Sequence, residues 1–400
     1  MYKVYCRIYQ AVFKMAAWVL PWRKPQVITG VGSLSRLAQL IKDKGICNVM
    51  LVTGKHIAAL GLADTLINDL KALGVICTVY SETVPNPTID NIEAALKIYN
   101  ANGCRGIIAF GGGSPMDCAK GIAARVARPN KSIPQMKGLL KIMRKTPLIF
   151  AVPTTAGTGS EATIAAVITN SKTHEKYAIN DISIIPHYAV LDPSLTLNLP
   201  KHITAATGMD ALTHAVEAYI GSANTKETIA CAEKAVKLIF DNIHTAYSKG
   251  EDIIARENML NASYLAGVAF TRAYVGNVHA IAHTLGGFYN VPHGLANAVI
   301  LPHVLDYYGA KVHKPLARLA DIVGITSERD SVDIKANKFI SAIKEMNKSM
   351  DIPDKISGIN TKDIDIMIAR ALSEANPLYP VPVIFDKNDM AKLYDEIREI

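Results

Sequence analysis

Three of the chain's eleven histidines, His279, His283 and His293, fall within fifteen residues of VHAIAHTLGGFYNVPHG (278–294). A fourth, His214, stands four residues after Asp210 in GMDALTHAVEAY. Positions i and i+4 of a helix share one face, so Asp210 and His214 point the same way, as do His279 and His283. One carboxylate and three imidazoles make a site for a divalent transition metal. Spacing alone does not choose three histidines from the four; both members of each i, i+4 pair are the plainest choice. The six cysteines are scattered without a CxxC pair, so thiolates take no part in such a site and read as reduced.

A second set of residues has the composition of a phosphate site. GGGSPMDCAK (111–120) directly follows the apolar run GIIAF. Gly112 and Gly113 let the backbone turn sharply and approach a ligand. Ser114, three residues before Asp117 with Pro115 between, reads as a capping box with proline at the first helical position. A helix starting there turns free N–H groups and its positive dipole end toward the glycines, which suits phosphate. A tight structural turn would use the same glycines, and the GxxxxGK[ST] spacing of a P-loop is missing. PTTAGTGSEAT (153–163) is a second polar loop after a strand, with hydroxyls on Thr154, Thr155, Thr158, Ser160 and Thr163 that can donate to amide or phosphate. Gly30-x-Gly32 in ITGVGSLSRL is a decoy. Its third small position is Ser35, and no acidic residue ends a well-placed following strand.

The elements that must carry these residues follow from the hydrophobic rhythm. Up to about residue 195, the buried-strand runs 48–54, 75–81, 106–112, 148–155 and 187–193 alternate with helical stretches such as 61–74 and 88–103. That alternation predicts a parallel sheet covered on both faces. After about residue 200 the strands stop and long helical segments follow. Four hundred residues exceed what one core usually fills. The chain therefore reads as an extension (1–24), an α/β dinucleotide-binding domain (25–197) and an all-α metal-binding domain (198–400).

GGGSPMDCAK, PTTAGTGSE, ATGMDALTHAVEAY and VHAIAHTLGGFYNVPHGLAN, in this order, resemble the iron-containing alcohol dehydrogenase family, from about residue 25 to the end. The resemblance implies Asp210, His214, His279 and His293 as metal ligands and His283 as a proton relay beside nicotinamide and substrate. It implies Gly112, Gly113 and Ser114 as the pyrophosphate loop. Thr154, Thr155, Thr158 and Thr163 match the cofactor loop, and Asn86 and Lys176 match further cofactor contacts. Fe2+ is the implied cation, with Zn2+ accepted by the same donors. Such a site acidifies a small primary alcohol or diol, and hydride passes between it and nicotinamide C4. Glycerol dehydrogenase-like or dehydroquinate synthase-like enzymes share the scaffold. The apolar residues Phe270, Tyr274 and Phe288 favour a simple alcohol. A metal-dependent hydrolase without nicotinamide is the reading from another class.

One departure bears on the cofactor. Many members carry Asp after the first strand where this chain has Gly54. A carboxylate there would accept the ribose hydroxyls and repel a 2′-phosphate. Gly54, with Lys55 and the hydroxyl of Thr53 beside it, points to NADP(H) in preference to NAD(H).

The net charge of +8 is regional. No acid precedes Asp43, and none lies between Asp117 and Glu161. Those stretches contain no known nucleic-acid module, so no nucleic acid is expected as a partner. Arg7 and Lys14 interrupt the apolar N-terminal run, which excludes a membrane span, and no small-residue cleavage site follows a clean apolar stretch. An amphipathic helix packed on the body or on a sister subunit is expected there; a membrane-surface helix is the alternative. A cytoplasmic homodimer is the expected assembly.

Overall fold

The computed structural model describes residues 1–172 and 175–399. It comprises two compact units, Pro21–Asn198 and, together, Met1–Leu20 with Leu199–Ile400. Helix α1 (Tyr2–Trp18) belongs to the second of these.

The Pro21–Asn198 unit runs β1 (Gln26–Thr29), α2 (Ser35–Asp43), β2 (Asn48–Val52), α3 (Lys55–Ala59), α4 (Asp64–Ala72), β3 (Ile76–Tyr80), α5 (Ile89–Ala101), β4 (Gly106–Gly111), α6 (Gly113–Ala127), β5 (Gly138–Leu139), β6 (Leu148–Pro153), β7 (Ala165–Asn170), β8 (Glu175–Asn180) and β9 (Tyr188–Leu191). Six strands form one parallel sheet in the order β1-β9-β6-β4-β2-β3. Alternate residues of each strand feed opposite faces. Met50, Ile107, Ile149 and Ala151 pack with Ile92, Leu96 and Ile122 of α5 and α6. Val49, Leu51, Ile108, Phe110 and Phe150 pack with Leu37, Ile41, Leu66 and Leu70 of α2 and α4. The expected parallel sheet with helices on both faces is therefore present. Two features were not anticipated: the short edge strand β1 and a separate three-stranded sheet, β5-β8-β7.

The local chemistry corrects one expectation. Gly112, in extended conformation, is the N-cap of α6, and no side chain caps that helix. Ser114 and Pro115 therefore lie inside the first turn, and Asp117 accepts instead from the Ser160 hydroxyl (3.2 Å). Proline is tolerated there because the first N–H groups of a helix have no intrahelical acceptor. The Gly30–Gly32 decoy is a structural turn. Both glycines have positive φ, and the N–H groups of Gly32 and Leu34 donate to the buried carboxylate of Asp192 (3.2 and 3.0 Å).

The second unit continues with α7 (Lys201–Ile220), α8 (Lys226–Ser248), α9 (Ile253–Ala273), α10 (Asn277–Tyr289), α11 (His293–Tyr308), α12 (Ala310–Val323), α13 (Val332–Ser349), α14 (Ile364–Ala375) and α15 (Lys387–Ile397). It contains no strand among the described residues. Helix α1 is fastened to the segment between α14 and α15. Arg7 donates to the carbonyls of Val381 and Pro382 (2.7 and 2.8 Å), and Gln10 donates to those of Tyr379 and Pro377 (2.7 and 3.2 Å). Cys6 is buried with Val381 and Ile384, and Phe13 meets Tyr274 edge-on. Among the described residues no helix is long and apolar enough to cross a membrane.

A single buried ammonium ties together the two polar loops of the α/β unit. Lys120, fully buried on α6, donates to Ser160 Oγ (2.9 Å), Thr163 Oγ1 (2.9 Å) and the carbonyls of Thr163 and Ala165 (3.1 and 2.8 Å). Burial lowers its pKa to about 8, opposed by the nearby carboxylates of Asp117 and Glu161. Removing this donor strands several buried acceptors at once. Lys120→Met is expected to lower the unfolding free energy by about 3 kcal/mol, read by urea denaturation; a midpoint equal to wild type would show that the network is dispensable.

Candidate metal and dinucleotide sites

In the helical unit, α7 is buried along most of its length and presents Asp210, His214 and Glu217 at i, i+4 and i+7. Two glycines let neighbouring chain approach that face. A Cβ on Gly294, at the start of α11, would stand 2.3 Å from the Ala206 carbonyl oxygen. One on Gly276, before α10, would stand 2.7 Å from Glu217 Oε1. These approaches bring His293 and His279 onto the carboxylate of Asp210.

No two of the donor atoms offered by Asp210, His214, His279 and His293 are more than 4.8 Å apart. Asp210 Oδ1 lies 3.9 Å from His279 Nε2 and 3.6 Å from His293 Nε2. A tetrahedral cation with bonds of about 2.1 Å sets its donors about 3.4 Å apart. The donor set therefore fits a divalent ion. His279 is held from behind: its Nδ1 meets Glu217 Oε2 at 2.6 Å, while Glu217 Oε1 accepts the Val278 N–H at 2.8 Å. That leaves Nε2 as the coordinating atom, the arrangement in which a carboxylate orients a ligand imidazole. Asn297, fully buried, donates to Asp210 Oδ1 (2.7 Å). The ring of His214 stacks between Phe270 (4.1 Å) and His279 (4.5 Å).

Burial, followed by the neighbouring His214, His293 and His283, pushes the His279 imidazole well below its ordinary pKa, toward the neutral form that binds metal. Burial raises Glu217 to about 8. A bound cation would draw it back toward carboxylate.

His283 stands beside this cluster with its ring stacked on His293 at 5.1 Å. Its Nδ1 meets Glu374 Oε1 at 2.6 Å, and the Tyr379 hydroxyl donates to the same oxygen at 2.7 Å. The expected apolar trio does not form one wall. Phe270 lies on His214, Tyr274 on Phe13, and Phe288 carries the Arg370 guanidinium over its ring. Sequence reasoning missed Glu217, Asn297 and Glu374. The first two carry a signal, seven residues after Asp210 and four after His293; Glu374, ninety-one residues from His283, carries none.

In the α/β unit Gly54 follows β2, Gly112 follows β4 and Thr154 follows β6, at the C-terminal ends of parallel strands, while Lys176 lies at the start of β8 in the smaller sheet and Asp117 within α6. Gly112 and Gly113 follow β4. A Cβ on them would meet Thr155 Oγ1 at 3.3 Å and Thr158 Cγ2 at 3.1 Å, so the threonines line the glycine turn. Thr154 lies buried with its hydroxyl unpartnered, and Thr163 is turned inward onto Lys120. Asn86, at φ 53°, donates its N–H to Ser114 Oγ (3.2 Å), and Lys176 donates to Asn86 Oδ1 (2.8 Å). Asp117 lies under this group. Burial raises it to about 6, eased by Lys120 and more weakly by Ser160 and Lys176. The glycine turn at an uncapped helix start, ringed by hydroxyls and an ammonium, has the donors a pyrophosphate needs. Gly54 caps α3, and Lys55 pairs with Glu82 (2.8 Å) on the surface. Thr53, expected to reach a phosphate with its hydroxyl, is buried instead and cannot do so from this position.

Comparison with known proteins accords with both halves. Residues 24–193 match the family described as "Iron-containing alcohol dehydrogenase", and residues 204–398 match "Fe-containing alcohol dehydrogenase family, C-terminal". "Alcohol dehydrogenase 4" of Saccharomyces cerevisiae is 38% identical over 374 residues, 92% of this chain and 96% of that protein. "1,3-Propanediol dehydrogenase" of Citrobacter freundii is 38% identical over 87% of this chain and 90% of its own. Among solved structures, a 1,3-propanediol oxidoreductase superposes with a TM-score of 0.91 at 34% identity, covering 95% of this chain and all of that one. With matches of this extent across both units, the chain belongs to the iron-containing alcohol dehydrogenase family.

Proposed function

We propose that the chain interconverts small primary alcohols or diols and their aldehydes. The carrying observation is the convergence of one carboxylate and three imidazoles, each a donor a divalent cation requires, in a chain that also builds a glycine-and-hydroxyl phosphate turn. When bound, the cation supplies Lewis-acid polarisation of a substrate oxygen and the dinucleotide supplies the hydride acceptor or donor. The chain's own residues do the rest. Asp210, His214, His279 and His293 would hold the cation, Fe(II) by the family and Zn(II) by the same donor chemistry. Glu217 keeps the His279 proton on Nδ1. His283, anchored through Nδ1 by Glu374, offers Nε2 to exchange the substrate's hydroxyl proton. Gly112, Gly113, Ser114, Thr155 and Thr158 would receive the pyrophosphate, with Asn86, Lys176, Asp117, Thr163 and the buried Thr154 arranging that turn. The free, scattered thiols support a cytoplasmic setting.

The preference we assign is for NADP(H) over NAD(H). Position 54 has no carboxylate to repel a 2′-phosphate, and Lys55 is 75% exposed in a surface ion pair of little intrinsic strength. Glu82 is the opposing charge, so the phosphate must displace it from Lys55. Relatives include one named "NAD-dependent methanol dehydrogenase", of Bacillus methanolicus.

Three outcomes are expected. Asp210→Ala and His279→Ala, purified anaerobically, should lose their metal by elemental analysis and fall roughly a thousandfold in kcat/KM with an alcohol or aldehyde panel; variants that keep both would remove the site from the chemistry. Glu217→Gln should weaken metal binding about 10- to 100-fold by titration calorimetry. Because Glu217 is raised from 4.5 to about 8 in the metal-free fold, its stabilising contribution is complete below 4.5 and is lost as pH rises through about 8. The metal-free melting temperature should thus fall more steeply across that window in wild type than in the Gln variant, which keeps the raised carboxyls of Asp117 and Glu161. Finally, the ratio of kcat/KM for NADPH over NADH should exceed one and shift at least tenfold toward NADH in Gly54→Asp; a tenfold preference of the wild type for NADH would end the NADP assignment. The new Cβ would lie 3.2 Å from the Thr83 carbonyl, so that variant also needs its melting temperature recorded.

A further inference from the structure

Helix α1 ends before residue 24, where the match to the family begins. Its inward stripe is Cys6, Gln10 and Phe13, spaced i, i+4 and i+7 on one face. A helix that only covered apolar surface would place a hydrocarbon in the middle of that stripe. This one places an amide there, and Gln10 is 7% exposed. A buried amide is costly unless its donors and acceptor are paired, and here they are. Gln10 Nε2 donates to the carbonyls of Tyr379 and Pro377, while its Oε1 accepts from Arg7 Nη1 (2.9 Å). Arg7 goes on to the carbonyls of Val381 and Pro382. Two side chains of α1 thus hold four carbonyls between residues 377 and 382.

That stretch needs outside donors. NPLYPVPV (376–383) contains Pro377, Pro380 and Pro382, which have no N–H, and it forms neither helix nor strand. Its other side meets the histidine cluster. The Tyr379 hydroxyl donates to Glu374 Oε1, the same oxygen that His283 Nδ1 meets. The Val383 carbonyl accepts from Asn277 Nδ2 (3.2 Å), at the first residue of α10, the helix that carries His279 and His283. A Cβ on Gly276 would lie 3.5 Å from Val381 Cγ1, so Val381 backs the turn that meets Glu217. Gln10 therefore bonds the backbone of the residue whose hydroxyl bonds the partner of His283.

We propose that Gln10 and Arg7 are positioning residues for the reaction assigned above, on which this inference rests. By fixing the carbonyls at 377–382 they hold the Tyr379 hydroxyl on Glu374, and through Glu374 they hold the ring of His283. That ring must present Nε2 within hydrogen-bond reach of a substrate oxygen. A misplacement of about 1 Å can cost on the order of 100-fold in rate, even when it originates far from the chemistry.

The test is a double-mutant cycle on the full metal-loaded chain. Gln10→Met keeps the volume and removes the donors; Tyr379→Phe removes only the hydroxyl. Each should lower kcat about tenfold, with metal content and the KM for dinucleotide unchanged. The double variant should lose no more than the larger single loss, because both changes act on one contact. Arg7→Lys, which keeps a donor, should recover most of what Arg7→Ala loses. A second readout does not depend on turnover: the His283 Nδ1 proton in the NMR spectrum of the zinc-loaded chain, assigned as the resonance missing from His283→Gln. It should exchange with solvent roughly tenfold faster in Gln10→Met than in wild type. Should Gln10→Met fail to fold, Arg7→Ala, at an exposed position, must show the faster exchange in smaller measure. Losses that multiply across the cycle would overturn the proposal, as would a folded Gln10→Met with the kcat and proton exchange of wild type. Faster exchange in a chain without nicotinamide-linked turnover would uphold the hold on His283 and refute the assigned reaction instead.

Discussion

The contact between Gly294 and the Ala206 carbonyl sets how closely α11 lies on α7, and the metal-binding geometry depends on that distance. Any side chain at 294 would collide with backbone, which cannot move aside as a flexible side chain can. With hydrogen there, the first residue of α11, His293, comes down onto the carboxylate of Asp210, and Asn297 one turn later reaches the same oxygen. The opposite flank is fixed by Gly276, which lets α10 begin on Glu217 and delivers His279 with its ring already turned. Three helices thus meet at a point through absent side chains as much as through those present.

Electrostatics alone would not hold such a cluster together. Three imidazoles and two carboxylates, all buried except the half-buried His293, oppose charging, and burial moves His279 and Glu217 toward neutrality in the metal-free fold. The arrangement is consistent with a cation as its missing charge. It leaves the ligand nitrogens unprotonated and gives Glu217 a reason to be ionised. Hydrogen bonds from the backbone at Val278 keep Glu217 in place meanwhile.

Much of this was legible in the residues. The runs that became β2, β4, β6 and β9 are buried on both faces, so each reads as an uninterrupted apolar stretch, whereas β3, an edge strand with Ile76 and Val79 exposed, was legible from its β-branched composition alone. The helical half announced itself where those runs stopped. Strand β1 was not legible because it is a four-residue edge, mostly exposed, and lacks that signature. The start of α6 was misread because Ser114 and Asp117 have capping-box spacing, yet the glycines carry the chain into the helix before Ser114 is reached. Glu217 hid for a statistical reason: a helical glutamate is usually solvated, and only a close neighbour such as Gly276 makes a buried one possible. Glu374 comes from a helix distant in sequence, and nothing local marks it.

The ammonium of Lys120 has a mechanical meaning as well. By bonding at once to Ser160, Thr163 and Ala165 from within α6, it pins the end of the hydroxyl loop to the helix that the glycine turn begins. The hydroxyl loop cannot part from α6 without stripping a buried charge of its acceptors, a cost of several kcal/mol. Under the function proposed above, a dinucleotide resting here would have beneath it a hydroxyl loop pinned from within α6.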